Sequence, residues 1–325
     1  MSTQRGTDAD WAAQEQLTRA AWYYYVESMT QDDIARQLNV SRASAGRLLD
    51  KARKSGIVSF TIDSDYLESF GVAQRLREAY SLSEVIVLPP AVDGLVSQRD
   101  TNRRVGLGGA QFLQNRLSAG STVGLGWGDT VHQTMRALHS DLMSNVAIST
   151  LTGGVGAYIN TLSLATGDMD VERKSSVLPT PLVASTDTLA DALRQEQVVQ
   201  DALESAKRVE YALLSVGGLA GQPTLVQMGY TGEEEMAQIA ASGAVGDVLG
   251  IFYDADGNTV DVPLHRRRIG IDLEDLRAIP NVVGVAGGLD KLDALRGALR
   301  GGFFSVLVTT DDVAERLLDE AGQQR

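Results

Sequence analysis

Between residues 34 and 58, six basic side chains (Arg36, Arg42, Arg47, Lys51, Arg53 and Lys54) stand against one acid, Asp50. A local charge of +5 over those 25 residues suits a phosphate backbone. The order of residues in TQDDIARQLNVSRASAGRLLDKARKSG says more than the charge. Thr30 with Asp33 three positions on reads as a capping box opening a helix from Gln31 to Leu38, buried through Ile34, Ala35 and Leu38. Asn39 tolerates a left-handed turn, and Val40 plugs the space between helices. Ser41 then caps a helix from Arg42 to Ser55, anchored by Leu48 and Leu49 and ended by Gly56. Its first turns present Ser41, Arg42, Ala43, Ser44, Ala45 and Arg47. In a DNA major groove, arginine forks onto guanine and small residues allow close approach. Lys51, Arg53 and Lys54 lie further along, where phosphates are met. The segment implies a DNA-binding helix-turn-helix; the alternative is a three-helix bundle that contacts protein and leaves its basic helix in water.

A second set of chemically apt residues sits in glycine turns. Gly124-Leu125-Gly126-Trp127-Gly128-Asp129-Thr130 follows an apolar run and opens a helix. Thr152-Gly153-Gly154, Gly217-Gly218, Gly246-Asp247 and Gly287-Gly288 follow other such runs. Glycine at a helix N-terminus lets backbone N–H groups approach an anion or an array of hydroxyls. Tight turns also use glycine, so each loop alone says little. There is no P-loop and no dinucleotide GxGxxG spacing. Asp254-Ala255-Asp256-Gly257-Asn258 resembles a calcium loop, but its glycine comes early and His265 stands where a glutamate would be needed, so it reads as a hairpin turn. Asp168 to Glu172 reads as a solvated loop. Arg266-Arg267-Arg268 is either an anion site or a salt-bridged strand edge or subunit contact.

Elements must position these residues. Trp11 to Ser28 has helical spacing, with Leu17, Ala20, Ala21, Tyr24 and Tyr25 on its inner face, after ten residues expected to be disordered. The Trp22–Tyr25 cluster is either core or a base-stacking platform. From Ile57 the pattern changes. Strands are expected at Ile57–Ile62, Val85–Leu88, Thr122–Leu125, Val146–Leu151, Leu182–Ala184, Ala212–Val216, Val248–Tyr253, Val282–Val285 and Val306–Val308. Helices are expected between them at Ser64–Tyr80, Arg99–Leu117, Thr130–Leu138, Thr188–Lys207, Lys291–Leu299 and Val313–Glu320. Continuous apolar runs alternating with helices predict an α/β fold with a mostly parallel sheet. The expected domains are a head, 1–60, and one large effector and oligomerisation domain, 61–325.

Composition narrows the classes. The net charge of −13 conceals a head of +1, because residues 61–325 carry 21 basic and 35 acidic side chains. Cysteine is absent, which excludes disulfides and thiolate metal sites and fits a reducing compartment. Three scattered histidines (His132, His139 and His265) do not suit a zinc enzyme, and no cofactor is expected. Apolar runs are too short to span a membrane, and MSTQRGTDAD lacks a signal pattern, so a cytoplasmic setting is expected.

The helix-turn-helix, followed in order by VGLGWGDTV, LPTPLV, GAVGDVLGIFYDADG, IPNVVGVAGGLDK, ALRGALRGG and VLVTTDDVA, resembles the SorC/DeoR-type family of bacterial sugar-binding transcriptional regulators. The resemblance covers nearly the whole chain. It implies an effector domain related to sugar-phosphate isomerases of the glucosamine-6-phosphate deaminase and ribose-5-phosphate isomerase type. It also implies tetramers whose grip on operator DNA responds to a sugar, polyol or sugar phosphate. Carried onto this chain, Gly126 to Thr130 cradle a phosphate or terminal hydroxyls, and Thr152 to Gly154 line the same pocket. Asp247 accepts from hydroxyls, and Lys291 neutralises an anion or holds a hydroxyl. The family's final Thr-Asp-Glu is here Thr309-Thr310-Asp311, which removes a charge. No lysine stands in the 124–130 or 152–154 loops, so no Schiff base is expected. Trp127 is a sugar platform or plain packing, and Lys291 a ligand contact or a solvated lysine.

The expected function is a ligand-controlled transcriptional regulator of carbohydrate or polyol use. The rival from another class is an isomerase with a fused DNA-binding head and Asp247 as base, although no His or Glu stands beside it in the loops. A metabolite sensor whose head contacts protein is the third reading.

Overall fold

The computed structural model describes residues 4–58, 66–90, 97–154, 156, 158, 161, 175–219 and 223–322. Contacts divide the chain into two units, Met1–Ser64 and Asp65–Arg325, four residues later than the expected boundary.

The first unit is three helices, α1 (Gln4–Tyr25), α2 (Gln31–Leu38) and α3 (Arg42–Lys54). Helix α1 begins within the stretch expected to be disordered, where alanine and glutamine favour helix. Ala20, Ile34, Ala35, Ala45 and Leu49 form its core, and Leu17, Ala21 and Ala52 a second small cluster. Tyr23 and Tyr25 pack partly on the core. Tyr24, expected inside, is exposed and meets Tyr25 edge-on at 4.9 Å, keeping its phenol in water. Ile57 and Val58 do not start a strand; they bend and pack against the Leu17 cluster. Residues 59–62 of that expected strand, and the 168–172 run, lie outside the described residues.

The second unit opens with α4 (Tyr66–Ala79) and contains a six-stranded parallel sheet. Its strands are β1 (Glu84–Leu88), β2 (Thr122–Leu125), β3 (Ala147–Thr150), β4 (Tyr211–Leu214), β8 (Asn281–Val285) and β9 (Val306–Thr310), in the order β1-β9-β8-β4-β2-β3. Apolar side chains cover both faces, which is why these strands read as unbroken hydrophobic runs. From β2 the chain moves out to edge strand β3 and returns to β4 on the other side of β2. That reversal opens a crevice at the carboxyl ends of β2 and β4, where ligands of open α/β sheets bind. Helices α5 (Gln98–Gln114) and α6 (Asp129–Ala137) lie beside it. They touch closely at Gly106, where a β-carbon would stand 2.6 Å from Cβ of Gln133.

Three expected elements differ. Val248–Tyr253 is a hairpin, β6 (Gly246–Val248) turning at Leu249-Gly250 into β7 (Ile251–Tyr253). With β5 (Gly217–Gly218) it forms a small antiparallel sheet. Gly250 supplies a positive φ, and the Asp247 carboxylate accepts its N–H, so the chain reverses instead of running on. Thr188–Lys207 breaks at Glu196 into α7 (Asp187–Gln195) and α8 (Gln197–Lys207). Nine residues separate Ala190 from Val199, which would put them on opposite sides of a straight helix at about 3.6 residues per turn. The break brings both onto the Ile269 cluster. Among the described residues, Leu182–Ala184 makes one isolated bridge, Val183 to Arg268. The Asp254 turn is a hairpin as read, closed by Asn258 and Asp256 N–H groups donating to Asp254 Oδ1.

Candidate DNA-reading helix and effector cleft

Helix α3 starts where Ser41 Oγ accepts the Ser44 N–H at 3.1 Å. Asn39 before it holds φ 52, ψ 48, the left-handed turn its side chain tolerates. Thr30 and Asp33 form the reciprocal capping box of α2. Ser41, Arg42, Ala43, Arg47, Lys51 and Lys54 are exposed and Ser44 half-buried. Ala45 is not on this face. It is fully buried, because positions 45, 49 and 52 form the helical stripe that packs on α1 and α2. Asp50 engages both Arg53 and Lys54 at 2.9 Å, and Arg42 lies 3.6 Å from Asp32. Arg47 donates to Ser44 Oγ at 3.2 Å, which lays its guanidinium along the N-terminal turns.

At the crevice, Gly126, Trp127, Gly128 and Asp129 from the end of β2 meet Ser215, Val216 and Gly217 from the end of β4. Asp247 and Leu249 of the hairpin, Lys291, Gln98, Asn102, Thr224 and Gln227 complete a cleft of about 260 Å³. Gly128 caps α6 with φ 133, a conformation closed to most residues, and brings no side chain of its own. Asp129 is held at both oxygens: Asn102 donates to Oδ2 at 2.8 Å and Gln133 to Oδ1 at 3.2 Å. Gln98 extends this network by donating to Asn102 Oδ1 and to the Gly287 carbonyl.

Asp247 is 5% exposed. Burial pushes its carboxyl up to about 6, while the Gly250 amide, Arg268 and Lys291 pull it down. Burial lowers the Lys291 ammonium, opposed by Asp290, Asp129 and Asp247. Trp127 Nε1 and Ser215 Oγ are buried with no hydrogen-bond partner among the described residues. A cleft with two carboxylates, one ammonium, an unpartnered indole N–H and an unpartnered hydroxyl is set to meet hydroxyls and a single anion.

Of the residues expected at the effector site, Gly126, Trp127, Gly128, Asp129, Asp247 and Lys291 converge. The others do not line this cleft. Gly124 is a packing position in β2, where a β-carbon would strike Leu151. Thr130 is buried in α6. Thr152 shares a 2.8 Å hydrogen bond with Tyr158, while Gly153 and Gly154 pack on Thr180 and Tyr230. Those three follow β3, on the far side of β2 from the crevice. Thr309 is fully buried in β9, separated from β4 by β8. Gly218 and Gly288 stand against Asp290, and Gly287 reaches the site only through Gln98. The three consecutive arginines diverge: Arg266 is exposed, Arg267 pairs with Glu235 and Arg268 is buried. They lie on and just after a helical turn, Leu264–Arg267, rather than at a strand edge.

Gln98, Asn102, Ser215, Thr224, Gln227 and Leu249 went unread in the sequence. Their one available signal was position: Ser215 stands two residues before Gly217, and Leu249 beside Gly250.

Comparison with known proteins identifies the family. The sugar-binding domain family model (Sugar-bind) matches residues 64–319. The transcriptional regulator LsrR of Escherichia coli (strain K12) is 34% identical over 309 residues, covering 94% of this chain and 95% of that protein. LsrR of Klebsiella pneumoniae subsp. pneumoniae is 34% identical over 311 residues, covering 94% of each. Among solved structures, the full-length sorbitol operon regulator SorC from Klebsiella pneumoniae superposes with TM-score 0.69 at 27% identity, covering 93% of this chain and 97% of that one. The chain belongs to the SorC/DeoR-type family of sugar-binding transcriptional regulators. Members of the SorC/DeoR-type family found here are regulators and not enzymes, so the isomerase alternative is not favoured. A SorC/DeoR-type chain with this pairing of units is a ligand-responsive transcriptional regulator. No helix among the described residues is long and apolar enough to cross a membrane.

Proposed function

We propose that residues 1–64 form the operator-binding head and that residues 65–325 sense a sugar or polyol monophosphate in the β2/β4 cleft. In the head, Arg42 and Arg47 read base edges, Ser41, Ala43 and Ser44 allow close approach, and Lys51 and Lys54 meet phosphates. In the cleft, Asp129 and Asp247 accept from vicinal hydroxyls. Lys291 takes the anion, and the indole N–H of Trp127 and the hydroxyl of Ser215 gain partners. The observation that carries this reading is that two residues lining the cleft hold buried polar atoms without a partner among the described residues, beside lining charges of two carboxylates and one ammonium.

Asp129 at the first turn of α6 disfavours a phosphate there. We therefore place the anion at Lys291 and hydroxyls at the Gly126–Asp129 turn. Effector binding then favours one arrangement of a homotetramer, and so one spacing of heads, through a coupling of about 1–3 kcal/mol. The tetramer rests on family resemblance.

The deciding experiment is thermal stability of the full chain against sugars, polyols and their phosphates. Sorbitol and sorbitol 6-phosphate belong in the panel because of the related regulator's name. A ligand at a hundred times its Kd should add about 2.7 kcal/mol. A response confined to monophosphates supports the reading, and one confined to free polyols removes the anion role of Lys291.

A further inference from the structure

The wall of the cleft that carries Asp247 is a two-residue hairpin turn with a leucine in an unusual conformation. Leu249 has φ 56 and Gly250 φ 77. Turns of this kind use Asn-Gly or Asp-Gly, because left-handed backbone is disfavoured for a bulky side chain. Leu249 nevertheless sits there, buried, with its side chain in the cleft lining.

Two fastenings hold the turn. The Gly250 N–H donates to Asp247 Oδ2 at 2.9 Å, and Arg268 Nε donates to the Leu249 carbonyl at 2.6 Å. The same guanidinium donates to the carbonyls of Gly270, at 3.3 Å, and Ile271. It is 6% exposed, and each of these hydrogen bonds goes to a backbone carbonyl. A buried cation that spends its donors on carbonyls is an expensive way to fill a core position.

We propose that Arg268 is a positioning residue for effector recognition: it pins the left-handed Leu249 turn, and so sets the direction in which Asp247 faces the ligand. Arg268 does not line the cleft; it acts through the turn, and its charge, which also lowers Asp247, is kept in Arg268→Lys. The inference rests on the reading of the cleft as the effector site. Lysine at position 268 keeps the charge but cannot supply the fork to three carbonyls. Glycine at position 249 removes the conformational cost that the fork opposes.

Both are tested in the full chain by amide exchange and by ligand-induced thermal stabilisation. In Arg268→Lys, exchange of the 246–253 segment should quicken by about tenfold or more, while β2 and β8 keep their protection. In the Leu249→Gly background the same substitution should change exchange by less than about threefold. With the sugar-phosphate panel, Arg268→Lys should weaken any wild-type hit by about tenfold and leave operator binding unchanged.

Uniform loosening of the sheet, unchanged exchange at 246–253, or equal effects in both backgrounds would overturn the proposal. A wild-type hit bound equally well by Arg268→Lys overturns it while leaving the effector reading intact. Silence of the wild type across the panel sinks the effector reading and this inference with it. Should Arg268→Lys fail to fold, recovery of folding in the double variant supports the proposal, and a double variant that fails where Leu249→Gly alone folds overturns it.

Discussion

Gly217 and Asp247 face each other across the β5–β6 ladder so closely that a β-carbon on Gly217 would stand 2.0 Å from Asp247 Oδ1. No side chain other than hydrogen leaves room for the carboxylate at its place in the cleft. Its other oxygen is already taken by the Gly250 N–H, so under the proposed effector reading Oδ1 is the oxygen left to accept from the ligand.

Gly217→Ala should therefore displace the Asp247 carboxylate without touching the head. Losing a hydrogen bond to a charged group costs about 1.5–3 kcal/mol, so effector affinity should fall by about tenfold to a hundredfold. Titration calorimetry with the ligand found in the panel measures this, and operator binding in the absence of effector should be unchanged. Equal affinity in the variant would remove Asp247 from the recognition set.

Asp247 and His265 should give opposed pH dependences of stability. Burial pushes Asp247 up to about 6 from 3.8, so the folded chain holds that proton more tightly and stability falls as pH rises through 6. Burial, with Arg268 adding to it, holds His265 at about 4, below 6.5. Its Nε2 accepts the Phe252 N–H at 2.9 Å, a bond that protonation breaks. Stability from the histidine is therefore lost as pH falls from 6.5 through 4. The two slopes offset each other in the wild type. Asp247→Asn should melt progressively lower as pH drops over that range, and His265→Gln progressively higher. Superimposable profiles for the three proteins would rule both groups out as the source.

On α3, Arg47→Ala should cost about 1–3 kcal/mol of specific operator binding and relax sequence preference at one base position. Lys51→Ala should weaken binding evenly across sequences and reduce the salt slope by about 1. Sugar-dependent stabilisation should persist in both, measured in the same preparations. Ala45→Arg should abolish operator binding for a different reason: the side chain enters the Ile34–Leu49 core, so the head itself should lose its helical signal.

Gly106→Val should destabilise the second unit by about 1–3 kcal/mol by forcing α5 away from α6. A β-carbon at this position meets backbone as well as side chain, at 2.9 Å from the Gln133 carbonyl carbon and the Thr134 nitrogen. Because α6 carries Asp129, effector affinity should fall in step with melting temperature. A variant that melts as the wild type does would show that the two helices have room to part.

Much of this was legible along the chain because it depends on neighbours in sequence. The capping box at Thr30 and Asp33, the left-handed Asn39 and the Ser41 cap are local hydrogen-bond and steric choices. Unbroken apolar runs told of a parallel sheet buried on both faces, and Gly126 to Asp129 marked a turn at a strand end. Local rules stopped short of Ala45, whose burial is set by where α1 lies, and of the break at Glu196, which exists because Ala190 and Val199 must reach one cluster. They also stopped short of the selection among glycine loops. Each loop has the composition of a ligand turn, but strand order decides which of them meet. The reversal between β3 and β4 puts the ends of β2 and β4 side by side, with Asp247 folded over them. The same order leaves Thr152 and Thr309 on other strands. Residue types and spacing thus determined the elements and the chemistry on offer, whereas only the pairing of strands distant in sequence decided which of those groups share one cleft.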